Sequence, residues 1–143
     1  MLDQDEVRDL FMQGYHCSQV VFMECADELG IDRDEAARIA SSLGGGMFRG
    51  DTCGAVGGAM LAIGARYGAC EPNDAESDKR MRAKVKEFQD QFTERFGTTF
   101  CRELLGYDFS KPEEIMKASQ AGVMMAQCPD YVSGALEILE DIL

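Results

Sequence analysis

The chain of 143 residues carries six cysteines, Cys17, Cys25, Cys53, Cys70, Cys101 and Cys128. A thiolate is both a nucleophile toward disulfides and a soft metal ligand, so the surroundings of each sulfur decide which chemistry is open to it. No two of the cysteines form a Cys-x-x-Cys pair, which removes the thioredoxin-type redox motif and the common zinc-finger spacing. Any paired or clustered site must therefore be assembled by the fold. Cys53 and Cys101 fall in the first turns of expected helices, Cys17 follows a break at Gly14, and Cys128 stands just before the expected last helix. Unpaired amides and the helix dipole at such ends favour thiolate over thiol, which predicts lowered pKa values at these four positions. Cys25 lies well inside a helical stretch and reads as a buried core residue, while Cys70 lies in a loop before Pro72.

Two other residues bear on these sulfurs. His16, the only histidine, adjoins Cys17 and could accept its proton or ligate a metal, although adjacent helical residues face different ways. Arg49 precedes the helix that Cys53 opens, where a fixed positive charge would stabilise the Cys53 thiolate. The glycines at 44, 45, 46 and 50 read as a flexible turn rather than a phosphate cradle, because no strand precedes them and no Gly-Lys-Ser/Thr follows.

The elements that must position the sulfurs are helices. Apolar residues recur at helical spacing along most of the chain, and alternating β-branched stretches are scarce, so the fold class is all-α. Residues 3–29 form the first stretch, with Gly14 able to split it in two. Asp32 caps a helix reaching residue 43, with Glu35 as capping-box partner. Asp51 or Thr52 caps a helix to residue 67, on which Gly54, Gly58 and Ala62 make a small face for close packing. Asn73 and Glu76 open a long helix with a core stripe of Met81, Val85, Phe88, Phe92 and Phe96. Thr98 or Thr99 caps a short helix, Pro112 starts the next, and Pro129 opens the last. These boundaries predict a compact single-domain bundle of six or seven helices over residues 1–143.

Composition narrows the function classes. With 45% hydrophobic residues the chain can bury a core without disulfide staples. A formal net charge of -12 disfavours nucleic acid and anionic lipid. The longest apolar run, residues 56–65, is too short for a membrane span. The acidic start lacks the features of a secretory signal, which leads us to expect a reducing cytoplasm.

The segments around four of the cysteines have a common signature: Gly14-Tyr15-His16-Cys17-Ser18-Gln19, Gly50-Asp51-Thr52-Cys53-Gly54-Ala55-Val56-Gly57-Gly58, Phe100-Cys101-Arg102-Glu103-Leu104-Leu105-Gly106, and Cys128. The pattern resembles the C-GCAxxG-C-C family, described as redox-active, over nearly the whole chain. By this resemblance Cys17, Cys53, Cys101 and Cys128 are the family cysteines, and Cys25 and Cys70 are additional. His16 stands where the resemblance implies Asn.

Three functions follow as expectations. The first is dithiol/disulfide exchange or electron transfer with a redox partner protein, in the manner of a thiol oxidoreductase, with Cys53 as attacker. The second is metal binding, with the four cysteines holding an iron-sulfur cluster or zinc. The third is a helical interaction module with inert thiols.

Overall fold

Helical spacing becomes helix nearly throughout the computed structural model, which describes residues 2–143. Among the described residues there are eight α-helices and no strand. They are α1 (Gln4–Met12), α2 (Cys17–Leu29), α3 (Arg33–Ala40), α4 (Gly54–Tyr67), α5 (Ala75–Phe96), α6 (Cys101–Leu105), α7 (Pro112–Ala121) and α8 (Val123–Ile142). The all-α expectation holds, with eight helices where six or seven were expected. The first stretch divides at Gly14, whose φ of +96° turns the chain between α1 and α2. No helix among the described residues is long and apolar enough to cross a membrane.

Local chemistry explains the starts. Asp3 and Asp32 accept from the amides of Glu6 and Glu35 at 2.8 and 3.1 Å, each satisfying an orphan donor of a first turn. The long helix is capped by Asp74, which accepts from Ser77 at 3.1 Å, rather than by Asn73, whose φ is +62°. The α4 and α6 starts come slightly later than the sequence suggested, for one shared reason. Thr52 and Phe100 form an isolated antiparallel bridge, flanked by Cys53 N–H to Thr99 O and Cys101 N–H to Asp51 O, both 2.7 Å. This pairing holds the approach to each helix extended until Cys53 and Phe100, the residues before Gly54 and Cys101.

The largest departure concerns Pro129. It does not open the last helix but lies inside α8, with Cys128 in mid-helix beside it. Proline lacks the N–H that would bond to the Met125 carbonyl one turn back. That carbonyl instead accepts from Arg8 Nε of α1 at 3.1 Å, and α1 packs along α8. A donor remote in sequence replaces the missing bond, and the helix continues back to Val123.

The core joins α2, α4, α5 and α8. Phe88 and Phe92 of the α5 stripe are fully buried, and Met81, Val85 and Phe96 pack at its margin. Phe96 meets the Tyr131 ring of α8 edge-on at 5.1 Å, which fixes the face that Tyr131 shows to the site. Close approach of α2 to α4 depends on the small face. A Cβ at Gly58 would lie 2.6 Å from Ser18 O, and one at Gly54 would overlap the Cys17 sulfur. Ser18 is itself fully buried and donates to Ala40 O at 2.7 Å, tying α2 to the end of α3.

Candidate functional site

The four cysteines that share the sequence signature line one pocket of about 420 Å³. Cys17 is the first residue of α2, Cys53 precedes the first residue of α4, Cys101 begins α6, and Cys128 enters from the middle of α8. The bridge at Thr52 and Phe100 places Cys53 and Cys101 side by side. Alternation along the paired segments sends both cysteine side chains to the face opposite Thr52 and Phe100. Accordingly Cys53 and Cys101 are buried, whereas Phe100 is exposed.

Cys17 and Cys53 share the N-terminus of α4. The Cys17 sulfur rests against Gly54, and the nearby backbone amides of Gly45, Ser18 and Gly54 act to lower its pKa. The next two amides of α4, those of Ala55 and Val56, support the Cys53 sulfur. The N-terminus of α4 thus acts on two thiols at once.

Gly45 reaches Cys17 through an unusual turn. Residues 45–48 all lie in the left-handed region, including Met47 at φ +57° and Phe48 at φ +59°. For residues with a Cβ this conformation costs roughly 1–2 kcal/mol each. The turn is closed by Asp51 N–H to Gly46 O at 3.0 Å, and Phe48 sits at the pocket mouth, edge-on to His16 at 5.1 Å. The glycine run is therefore a strained turn, not simply a flexible one.

Burial reverses the expected pKa shifts. Desolvation raises the Cys17 thiol despite these amides, and raises Cys53 despite its helix end. Cys128 is also raised by burial, and Cys101 is pushed up to about 12 by burial and the nearby Cys17, against a small opposing effect of Arg102. Removing a charge from water outweighs the dipole and amides. The Cys17 charge acts on each of the other three, so ionising one sulfur disfavours ionising its neighbours.

The remaining candidates are dispersed. Cys25 is buried beside Glu24 and Glu28, away from the pocket, and its thiol is pushed up to about 11 by burial and those carboxylates. Cys70 is exposed in the loop after α4. His16 caps α2, its amide donating to Gln19 Oε1 at 2.8 Å, and its ring borders the pocket. Arg49 is exposed and does not line the pocket. A cation that does act on a pocket thiol is Arg102, which lowers the Cys101 pKa and binds Asp51 and the Gly50 carbonyl. Tyr131, Phe48, Met125 and the Gly45 amide belong to the site but carry no sequence signal of their own. The close approach required of Gly54 does have one, in its place beside Cys53.

Four sulfurs could serve zinc or an iron-sulfur cluster. Among the described residues, however, no three His, Cys, Asp or Glu side chains are grouped so as to hold a metal ion. The thiols face an open apolar pocket rather than closing on a common centre.

Helical scaffold and shared pocket together define a small all-α protein with four cysteines facing one site. A family model described as "Putative redox-active protein (C_GCAxxG_C_C)" matches residues 15–142, and the chain belongs to that family. No match was found among curated proteins or among solved structures.

Proposed function

We propose that the protein carries out thiol–disulfide exchange, with Cys17 and Cys53 forming the reversible disulfide. The observation that carries this reading is the contact of the Cys17 sulfur with Gly54, the first residue of α4 and the immediate neighbour of Cys53. Cys17 is the better placed attacker: it is partly exposed to the pocket, whereas Cys53 is buried. Cys53, the attacker expected from sequence, takes the resolving role. Cys101 and Cys128 supply a neighbouring dithiol on the same pocket.

The chemistry balances in two displacements. The Cys17 thiolate attacks one sulfur of a substrate disulfide; a mixed disulfide forms, the substrate S–S bond breaks, and the departing sulfur takes a proton. The Cys53 thiolate then attacks the Cys17 sulfur, forming the intramolecular disulfide and releasing the second substrate thiol. The protein loses two electrons and two protons, and the substrate gains them.

Trapping tests the assignment. Cys17→Ser should abolish exchange, and Cys53→Ser should accumulate a mixed disulfide through Cys17, both read by intact-protein mass. Unchanged exchange in Cys17→Ser would overturn the reading.

A further inference from the structure

The pocket that holds the thiols also specifies what can reach them. None of its lining side chains is Asp, Glu, Lys or Arg, although the chain carries a formal net charge of -12. Its walls are built from Phe11, Phe109, Leu104, Leu105, Met124 and the Tyr131 ring. Large apolar side chains continue to the rim, where Phe48, Ile115 and Met125 are 52%, 41% and 40% exposed. A volume of about 420 Å³ is that of a small-molecule site.

The geometry points to an uncharged, apolar cyclic disulfide as the redox substrate, bound inside this pocket within reach of Cys17. The inference rests on the exchange reading above and adds the substrate class. A carboxylate or ammonium group entering the pocket would lose its hydration and find no ionisable nitrogen or carboxylate side chain there except the His16 ring. A neutral ring of two sulfurs loses little hydration, and its soft sulfur atoms make favourable contacts with aromatic edges and methionine. A five-membered ring with its S–S bond also fits the two-step chemistry. Cys17 opens the ring to a mixed disulfide, the freed ring sulfur takes the proton lost by Cys17, and Cys53 displaces the second sulfur with its own proton. A cyclic disulfide becomes a dithiol while the protein dithiol becomes a disulfide.

The test compares three oxidants on the fully reduced protein, with loss of Cys17 and Cys53 thiols followed by quenched alkylation and mass spectrometry. They are lipoamide, a neutral dithiolane; lipoate, the same ring and chain ending in a carboxylate; and glutathione disulfide, which is charged throughout. Lipoamide should react at least about tenfold faster than lipoate, with glutathione disulfide slower still. Met125→Lys, which places a cation on the rim, should raise the lipoate rate relative to lipoamide severalfold. Equal rates for lipoamide and lipoate, or an unchanged ratio in Met125→Lys, would overturn the substrate class while leaving exchange intact. Oxidation of Cys17 and Cys53 by a protein disulfide but by none of the three small disulfides would do the same. Failure of every disulfide to oxidise them would overturn the exchange reading itself, and this inference with it.

Discussion

Gly54 allows the Cys17 sulfur to rest against the first turn of α4, where any Cβ would overlap it. The Gly54 backbone also acts to lower the pKa of the same sulfur, so one residue supplies both the space and a dipole that favours the thiolate. Gly54→Ala would ordinarily favour a helix by about 1 kcal/mol. Here it should destabilise by about 2 kcal/mol through overpacking, because Leu43 O and Ser18 N are also within 3.1 and 3.3 Å of the added carbon. Thermal unfolding checks this, and adding Cys17→Ala should restore part of the loss. Gly64→Ala in the same helix, with nothing within 4 Å, should stabilise by about 0.5–1 kcal/mol.

Burial of the thiols makes stability fall with alkaline pH. An unfolded cysteine ionises near 8.5, whereas the folded chain raises all four pocket thiols, Cys101 to about 12. The folded state therefore holds these protons more tightly. Its contribution is complete below about pH 8.5 and is lost as pH rises toward the folded values, by about 1 kcal/mol per pH unit for each fully buried thiol. Thermal midpoints measured from pH 8 to 10.5 should fall, and Cys101→Ala should flatten the decline. A pH-independent midpoint over that range would contradict the burial account.

Reactivity should follow the same ordering. At pH 7 a small alkylating reagent should modify the exposed Cys70 first, with the pocket thiols markedly slower. Between pH 7 and 9 the Cys17 rate should rise about tenfold per unit without a plateau, because only the thiolate reacts and its pKa is raised. Peptide-resolved alkylation kinetics read each cysteine separately.

Arg8 and Pro129 form a compensating pair. Arg8→Ala leaves the Met125 carbonyl without its donor and should cost about 1 kcal/mol, with faster amide exchange in α8 around Met125. Pro129→Ala restores an intrahelical N–H to that carbonyl, so the Arg8→Ala cost should shrink in the double variant. A double-mutant cycle by denaturant unfolding measures the coupling.

These relationships also show what the sequence could and could not reveal. The α5 stripe from Met81 to Phe96 and the small face at Gly54, Gly58 and Ala62 were legible because each is set by spacing within one helix. The four signature cysteines were legible as residue types at expected helix starts, except that Cys128 was misplaced by Pro129. The carbonyl that Pro129 leaves without an amide is met by Arg8, more than 100 residues away, and such a contact leaves no local trace. The thiol pKa direction is not legible in the sequence for a similar reason. Helix-end amides can be read from local pattern, but the desolvation that outweighs them depends on packing by distant elements. The bridge joining residues 51–53 to 99–101, which brings Cys53 beside Cys101, is likewise non-local.

Disulfide mapping tests the central claim most directly. The reduced protein is oxidised under mild conditions, free thiols are blocked at low pH, and non-reduced peptides are analysed by mass spectrometry. The account predicts a Cys17–Cys53 link as the first product, with Cys101 and Cys128 still alkylatable and Cys25 unchanged. A first product that leaves Cys17 and Cys53 both free, whether a Cys101–Cys128 link or a dimer through Cys70, would contradict it.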